Sequence, residues 1–152
     1  MHNGNFDYRV IKCTCGNVLD VYWDTEIAAR ILNENELANL KSQYITHIDS
    51  EQEKYDIENL FKHLPYEIFE PELFALYAAT DAWMTYRLYK WQQQQFSLPS
   101  NDGLYNVFMN VEMPIVQVSS EMELLGIEID NEYAARLSVK YHKKLDAVDN
   151  SI

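Results

Sequence analysis

Apolar and polar positions divide the chain into short helices, one long helix and a final helical pair. Residues 6–12 (FDYRVIK) carry the periodicity of the first turns of a helix, and Gly16-Asn17 reads as a turn. Val18 to Trp23 alternates apolar and polar, the two-residue period of a short strand. Asp24 stands as an N-cap before Ile27, Ala28, Ile31 and Leu32, which recur at helical spacing. Glu26 and Arg30 form a favourable pair one turn apart on the same helix. A further short helix fits Glu36 to Tyr44, with Leu37, Leu40 and Tyr44 on one face, and Ile45 to Lys54 reads as polar loop. Asp56 to His63 is helical, with Ile57, Leu60, Phe61 and Leu64 inward and Pro65 as its stop.

Pro71 suits a first helical position, and from it the longest helix runs to about Gln94. Leu73, Leu76, Tyr77, Met84 and Leu88 form its stripe, and the short run Gln92 to Gln95 closes it. Ser97 to Gly103 is the clearest break, which predicts two domains, 1–97 and 98–152. A new helix begins at Leu104, and Pro114 within it predicts a kink or a restart. Gly126 suits the residue just past its end, and Ile127-Glu128-Ile129 is extended. Asp130 then caps a last amphipathic helix carrying Arg136, Lys140, Lys143 and Lys144.

Composition adds to this helical picture. Gly and Pro number four each, too few turn-formers for a β-sandwich or barrel, while 47% apolar residues can build a core. The formal charge is −12, so the chain lacks the basic face of an autonomous nucleic-acid binder. A role on nucleic acid then requires bound metal ions or a basic partner; otherwise the acidity serves solubility. Cys13 and Cys15 stand too close for an easy disulfide and lack the further ligands of a zinc site. Reduced thiols in a cytoplasmic protein are the expectation. No apolar run approaches a membrane span, and polar residues rather than a signal core follow Met1, so a soluble, unexported chain is expected.

Three acidic features hold candidate chemistry. Asn3-Gly4-Asn5-Phe6-Asp7 places an Asn and an Asp one turn apart, with an aromatic before the Asp. Tyr77-Ala78-Ala79-Thr80-Asp81 puts a phenol and a carboxylate on one helix face, beside small residues that let another element approach. That pairing suits metal-assisted phosphodiester hydrolysis, in which carboxylates hold two ions roughly 3.5–4 Å apart and a phenol orients the attacking water. Taken alone, it is also a common structural spacing. Asp24-Thr25-Glu26 has the form of an Asp-x-Glu metal motif. Its place at the start of an amphipathic helix makes it a capping sequence instead, with Glu26 directed to Arg30.

Read together, the segments resemble family A DNA polymerases. HNGNFDYRVIK resembles the second motif of their 3′–5′ proofreading exonuclease, and YAATDAWMTYRLY resembles the third, Tyr-x-x-x-Asp. WDTEIAARILNENELANLKSQY is similar to the segment between them. VEMPIVQVSSEMELLGIEID is similar to the start of the polymerase domain. The resemblance implies that Asp7 and Asp81 are metal-binding carboxylates for Mg²⁺ or Mn²⁺ and that Tyr77 is the water-orienting tyrosine. It implies that Asn3 and Phe6 line the site for a single-stranded DNA 3′ end. Lys41 matches a Leu-Lys of the family and is given no catalytic role.

The family's first motif, Asp-x-Glu on a strand, would precede Asn3, and the segment before Asn3 is too short to hold it. The expected fold is therefore α/β and helix-rich. It is a partial ribonuclease-H-like exonuclease lacking its first strands, followed by helices of the polymerase thumb base. The resemblance implies a companion polypeptide supplying the missing strands and the polymerase palm and fingers, in the cytoplasm of a bacterial or phage-infected cell. Two readings stand open: a component of a proofreading polymerase, or a non-catalytic helical remnant or interaction module.

Overall fold

Helix α1 spans Gly4–Cys15 in a computed structural model that describes residues 1–51 and 70–150. Asn3, just before it, takes the left-handed region at φ 62° and ψ 56°, which Asn enters more readily than most residues. Gly16 closes the helix at φ 69° and donates its amide to the Lys12 carbonyl. The helix predicted over 6–12 is thus longer at both ends.

Helix α2 spans Thr25–Leu32 and is capped by Asp24, whose Oδ1 accepts the Glu26 amide at 2.8 Å and the Ile27 amide at 3.4 Å. The same carboxylate accepts the amides of Asn3 at 3.2 Å and Gly4 at 2.6 Å, at the head of α1. One negative charge therefore serves the positive ends of two helices. Gly4 makes the approach possible, since a Cβ there would meet Val21 Cγ1 at 2.7 Å. Glu26 takes Arg30 at 2.8 Å, as its spacing predicts. Asp24→Ala is expected to destabilise the protein by about 2–4 kcal/mol, against about 1 kcal/mol for an ordinary N-cap, because the buried Gly4 amide loses its partner as well. A urea titration measures this; a loss of about 1 kcal/mol or less would reduce Asp24 to a cap of α2 alone.

The strand predicted at Val18–Trp23 is a correction. That segment joins α1 to α2 without regular structure, and no ladder forms among the described residues. Alternation marks a half-buried extended run, but a strand also needs a neighbour's backbone, which no periodicity within the run can supply. The described residues are accordingly helical, without the sheet of the expected α/β fold.

Helix α3 spans Leu40–His47, a register later than the predicted 36–44. Asn39 sets its start by accepting the Ser42 amide at 2.9 Å, and the helix runs past Tyr44 into what the pattern reads as loop. The helix predicted over Asp56–His63, with its Pro65 stop, lies outside the described residues.

Helix α4 spans Pro71–Phe96, with Pro71 in its first turn, and packs on α2 and α3. Its predicted stripe divides. Met84 and Leu88 are buried, whereas Leu76 is 55% exposed. Periodicity shows which residues share a face, not whether anything covers that face along its whole length.

The core gathers Trp23, Ala28, Phe96, Phe108, Met113 and Val116. Trp23 meets Tyr89, Phe96 and Phe108 edge-on at centroid distances of 5.2, 5.7 and 4.7 Å. Its Nε1 donates to Gln92 Oε1 at 3.1 Å, and Gln92 Nε2 donates to the Thr25 carbonyl at 2.8 Å. Gln92, fully buried, is therefore a core residue inside what reads as a polar glutamine run.

A short 3₁₀ turn (Pro99–Asn101) and helix α5 (Asp102–Val107) lead to a wide π-helical turn, Phe108–Glu112, and then helix α6, Met113–Leu125. A new α-helical span begins at Met113 with Pro114 in its first turn, in keeping with the predicted restart. The turn before it widens, and the Met113 amide reaches back to the Phe108 carbonyl. A polar seam joins α6 to α1. Tyr8 Oη donates to Glu121 Oε1 at 2.5 Å, Lys12 pairs with the same carboxylate, and Ser120 Oγ donates to Asn5 Oδ1 at 2.9 Å.

Met1–Met122 forms one compact unit and a second begins at Glu123. Within the second, Asp130 caps helix α7 (Asn131–Asp149) by accepting the Tyr133 amide at 2.8 Å, and α7 buries none of its residues.

Candidate active site

A groove of about 960 Å³ opens in the first unit between the start of α1, the start of α3 and the middle of α4. Phe6 and Asp7 line it from α1, Lys41 from α3, and Tyr77 and Asp81 from α4. The helical repeat alone places Tyr77 and Asp81 together, but it takes the packing of α4 on α2, and the Asp24 link from α2 to α1, to bring Asp7 to the same space. Asn3 stands apart from the groove lining. It is exposed at the head of α1, and its amide goes to Asp24. Phe6 is 56% exposed, a ring presented to solvent at the groove.

The groove's polar groups are unevenly satisfied. Asp81 Oδ1 is buried with no hydrogen-bond partner. Lys41 Nζ lies 3.8 Å from it, in ion-pair range but beyond a hydrogen bond, and 4.8 Å from the Tyr77 ring centroid. His2 also lines the groove, with Nδ1 2.9 Å from Thr25 Oγ1. Burial holds the His2 imidazole below its ordinary value, against the opposing pull of Glu26 and Asp24. Neither His2 nor Lys41 stands out by sequence spacing as a member of this group. For Lys41 the signal in the sequence is its match to a Leu-Lys of the family; His2 joins the group only because segments distant along the chain fold together.

Asp7 is half-buried, and its carboxyl is pushed above the ordinary 3.8, first by burial and also by Asp24; the Met1 amino group and His2 pull the other way. The folded protein therefore binds this proton more tightly than the unfolded chain. The ionised group costs stability fully above the raised value, and the cost vanishes below 3.8. Asp7→Asn is expected to raise the melting temperature by about 1–3 °C at pH 7. The gain should shrink as pH falls through the raised value towards 3.8. Calorimetry across that range checks the sign; an equal gain at pH 7 and below 3.8 would mean that ionisation is not the cause.

The donor chemistry suits a hard divalent cation in part. Asp7 and Asp81 are oxygen donors on one groove, and the buried Asp81 Oδ1 makes no hydrogen bond, with the Lys41 ammonium at 3.8 Å. Among the described residues no group of three or more His, Cys, Asp or Glu is placed to hold a metal ion. Two carboxylates make part of a donor set, not the whole of one.

Residues 1–95 match the 3′–5′ exonuclease family, and the chain belongs to that family, in the branch found in family A DNA polymerases. Across 95% of its length it is 30% identical to the DNA polymerase I of Chloroflexus aurantiacus. Across 99% it is 29% identical to the DNA polymerase I of Borreliella burgdorferi. A Bacillus phage SP01 protein, a DNA polymerase, is 26% identical, also over 99% of the chain. The chain spans only 15%, 16% and 17% of the lengths of these relatives. No solved structure matches it.

Proposed function

We propose that this chain contributes the second and third acidic motifs of a two-metal 3′–5′ exonuclease, the proofreading activity of a family A DNA polymerase. The observation that carries the reading is the convergence of Asp7, Tyr77 and Asp81 on one groove in which Asp81 Oδ1 is buried without a hydrogen-bond partner. Asp81 and Asp7 would hold Mg²⁺ or Mn²⁺. When bound, such ions neutralise phosphate charge and make a bound water more acidic. Tyr77, one turn from Asp81, orients the attacking water through its hydroxyl. Phe6 offers its exposed ring as a stacking surface for a terminal base of single-stranded DNA. Asn3 flanks that end of the substrate.

In this reading residues 1–97 are exonuclease and 98–152 begin the polymerase domain. The complete fold is ribonuclease-H-like. Its central strands, the remaining carboxylates, the palm and the fingers come from a companion segment. The setting is the cytoplasm of a bacterial or phage-infected cell. One observation favours the alternative, a non-catalytic helical module: among the described residues no group of three or more His, Cys, Asp or Glu is placed to hold a metal ion.

The test is a single-stranded DNA labelled at its 5′ end. It is incubated with Mg²⁺, this polypeptide and a segment carrying an Asp-x-Glu strand. Trimming that disappears in the Asp7→Ala, Asp81→Ala double variant supports the reading; trimming that survives both substitutions refutes it.

A further inference from the structure

We infer that Lys41 is the resident counter-cation of Asp81, a positioning residue that a divalent ion must displace in order to load the groove. The inference rests on the exonuclease reading of the site and adds a residue to it. Its first support is geometry. The Lys41 ammonium sits 3.8 Å from the buried Asp81 oxygen that lacks a hydrogen-bond partner, and 4.8 Å over the Tyr77 ring. A carboxylate and an aromatic face are the two kinds of surface that stabilise an ammonium drawn out of water. The two that meet here belong to the proposed water-orienting and metal-holding residues.

The second support is independent of that contact. Lys41 is the second residue of α3, at the positive end of the helix, and α3 has no acidic residue in its first turn. A cation there opposes the helix dipole, and an Asp or Glu would stabilise the helix more. A side chain that breaks a local rule is expected where function takes precedence over stability. Lys41 is also mostly buried, at 20% side-chain exposure, so its charge is directed into the groove and not to solvent.

The ammonium thus fills the space of a positive charge beside Asp81 and keeps that carboxylate drawn into the groove. A divalent ion, with twice the charge, competes for the same oxygen. The long flexible stem of Lys lets the ammonium move aside, which a rigid guanidinium stack or a helix dipole cannot do. Lys41 therefore sets a threshold. The ion loads only when the rest of its donor set, or a substrate phosphate, adds enough attraction to displace the lysine.

Mn²⁺ binding to the 152-residue polypeptide at pH 7 tests this, read as loss of the free-ion signal in electron paramagnetic resonance. Lys41→Met and Lys41→Gln, which remove the charge and keep the bulk, should each bind Mn²⁺ about tenfold more tightly than the unsubstituted protein. Lys41→Arg, which keeps the charge on a less yielding group, should bind Mn²⁺ no more tightly than the unsubstituted protein. Asp81→Asn should remove the binding in every background. Circular dichroism confirms that each variant is folded, and either neutral variant suffices if the other is not. If Asp81→Asn removes binding while both neutral variants stay within twofold of the original, the counter-cation role fails and the groove remains a metal site. If Lys41→Arg tightens binding as much as Lys41→Met, shape and not charge is responsible, and the role again fails. If Asp81→Asn changes nothing, the ion is not held at Asp81 and the inference falls; if no variant binds Mn²⁺ measurably, removing the lysine charge does not open the site, and the counter-cation role fails while the exonuclease reading stands on the complemented trimming assay.

Discussion

Trimming of single-stranded DNA from its 3′ end is expected from this polypeptide only when a segment bearing an Asp-x-Glu strand is added. By itself it should leave the DNA intact in Mg²⁺ or Mn²⁺. Two ions in a phosphodiester-cleaving site share about four carboxylates, and the groove offers Asp7 and Asp81. An ion held by one or two carboxylates, with the remaining positions filled by water, is bound weakly and is not fixed in place. The precise placing of water against phosphorus is then lost. Where the complementing segment restores activity, Asp81→Ala should lower the rate at least about a thousandfold, equivalent to about 4 kcal/mol of transition-state stabilisation. A double substitution of Asp7 and Asp81 should leave docking of the segment intact, seen as an unchanged rise in melting temperature, while removing trimming. Robust trimming by the purified polypeptide alone, lost in Asp81→Ala, would show that the groove is already complete.

The largest stability effect is expected at Trp23. Trp23→Ala removes the ring on which Tyr89, Phe96 and Phe108 close, and leaves the buried Gln92 Oε1 without its donor. Large-to-small changes of this kind cost about 3–5 kcal/mol, and an unpaired buried amide oxygen adds to that. Domains of this size hold about 5–15 kcal/mol in total, so the variant is expected to be partly unfolded at room temperature. Urea unfolding followed by far-ultraviolet circular dichroism provides the measurement. Trp83→Ala serves as the comparison. Its ring is 49% exposed and sits over Arg87, and a loss of under about 1.5 kcal/mol is expected. Similar losses from both would contradict the placing of the core around Trp23.

Helices and caps were the legible part of this fold because their signals are local. Asp24 before Ile27 and Ala28, Pro71 at the head of α4, and Asp130 before α7 each act within a few residues of themselves. Legibility failed where the deciding partner is distant. Val18–Trp23 alternates like a strand, yet no neighbour is present among the described residues to make it one. Gln92 reads as part of a polar run, but Trp23 and Thr25, nearly seventy residues away, make it a core residue. Asn39 sets the start of α3, while the apolar face that begins at Leu37 carries the helical pattern back past that cap. Within the site, Tyr77 and Asp81 share a helix and could be paired from spacing. Lys41 joins them only through the packing of α3 against α4.

The shared carboxylate of Asp24 bears on how the groove keeps its dimensions. Asp7 and Asp81 sit on different helices, and like charges on opposite walls push them apart. A chain of stiff struts opposes that spreading. Asp24 pins the head of α1 to the head of α2, and Gln92 pins the Thr25 carbonyl of α2 to α4. Force applied to either wall therefore travels through this linkage, and neither Asp24 nor Gln92 lies in the groove lining. The gauge of the groove is set from behind, so residues facing it can be exchanged one at a time while the gap between the two carboxylates holds.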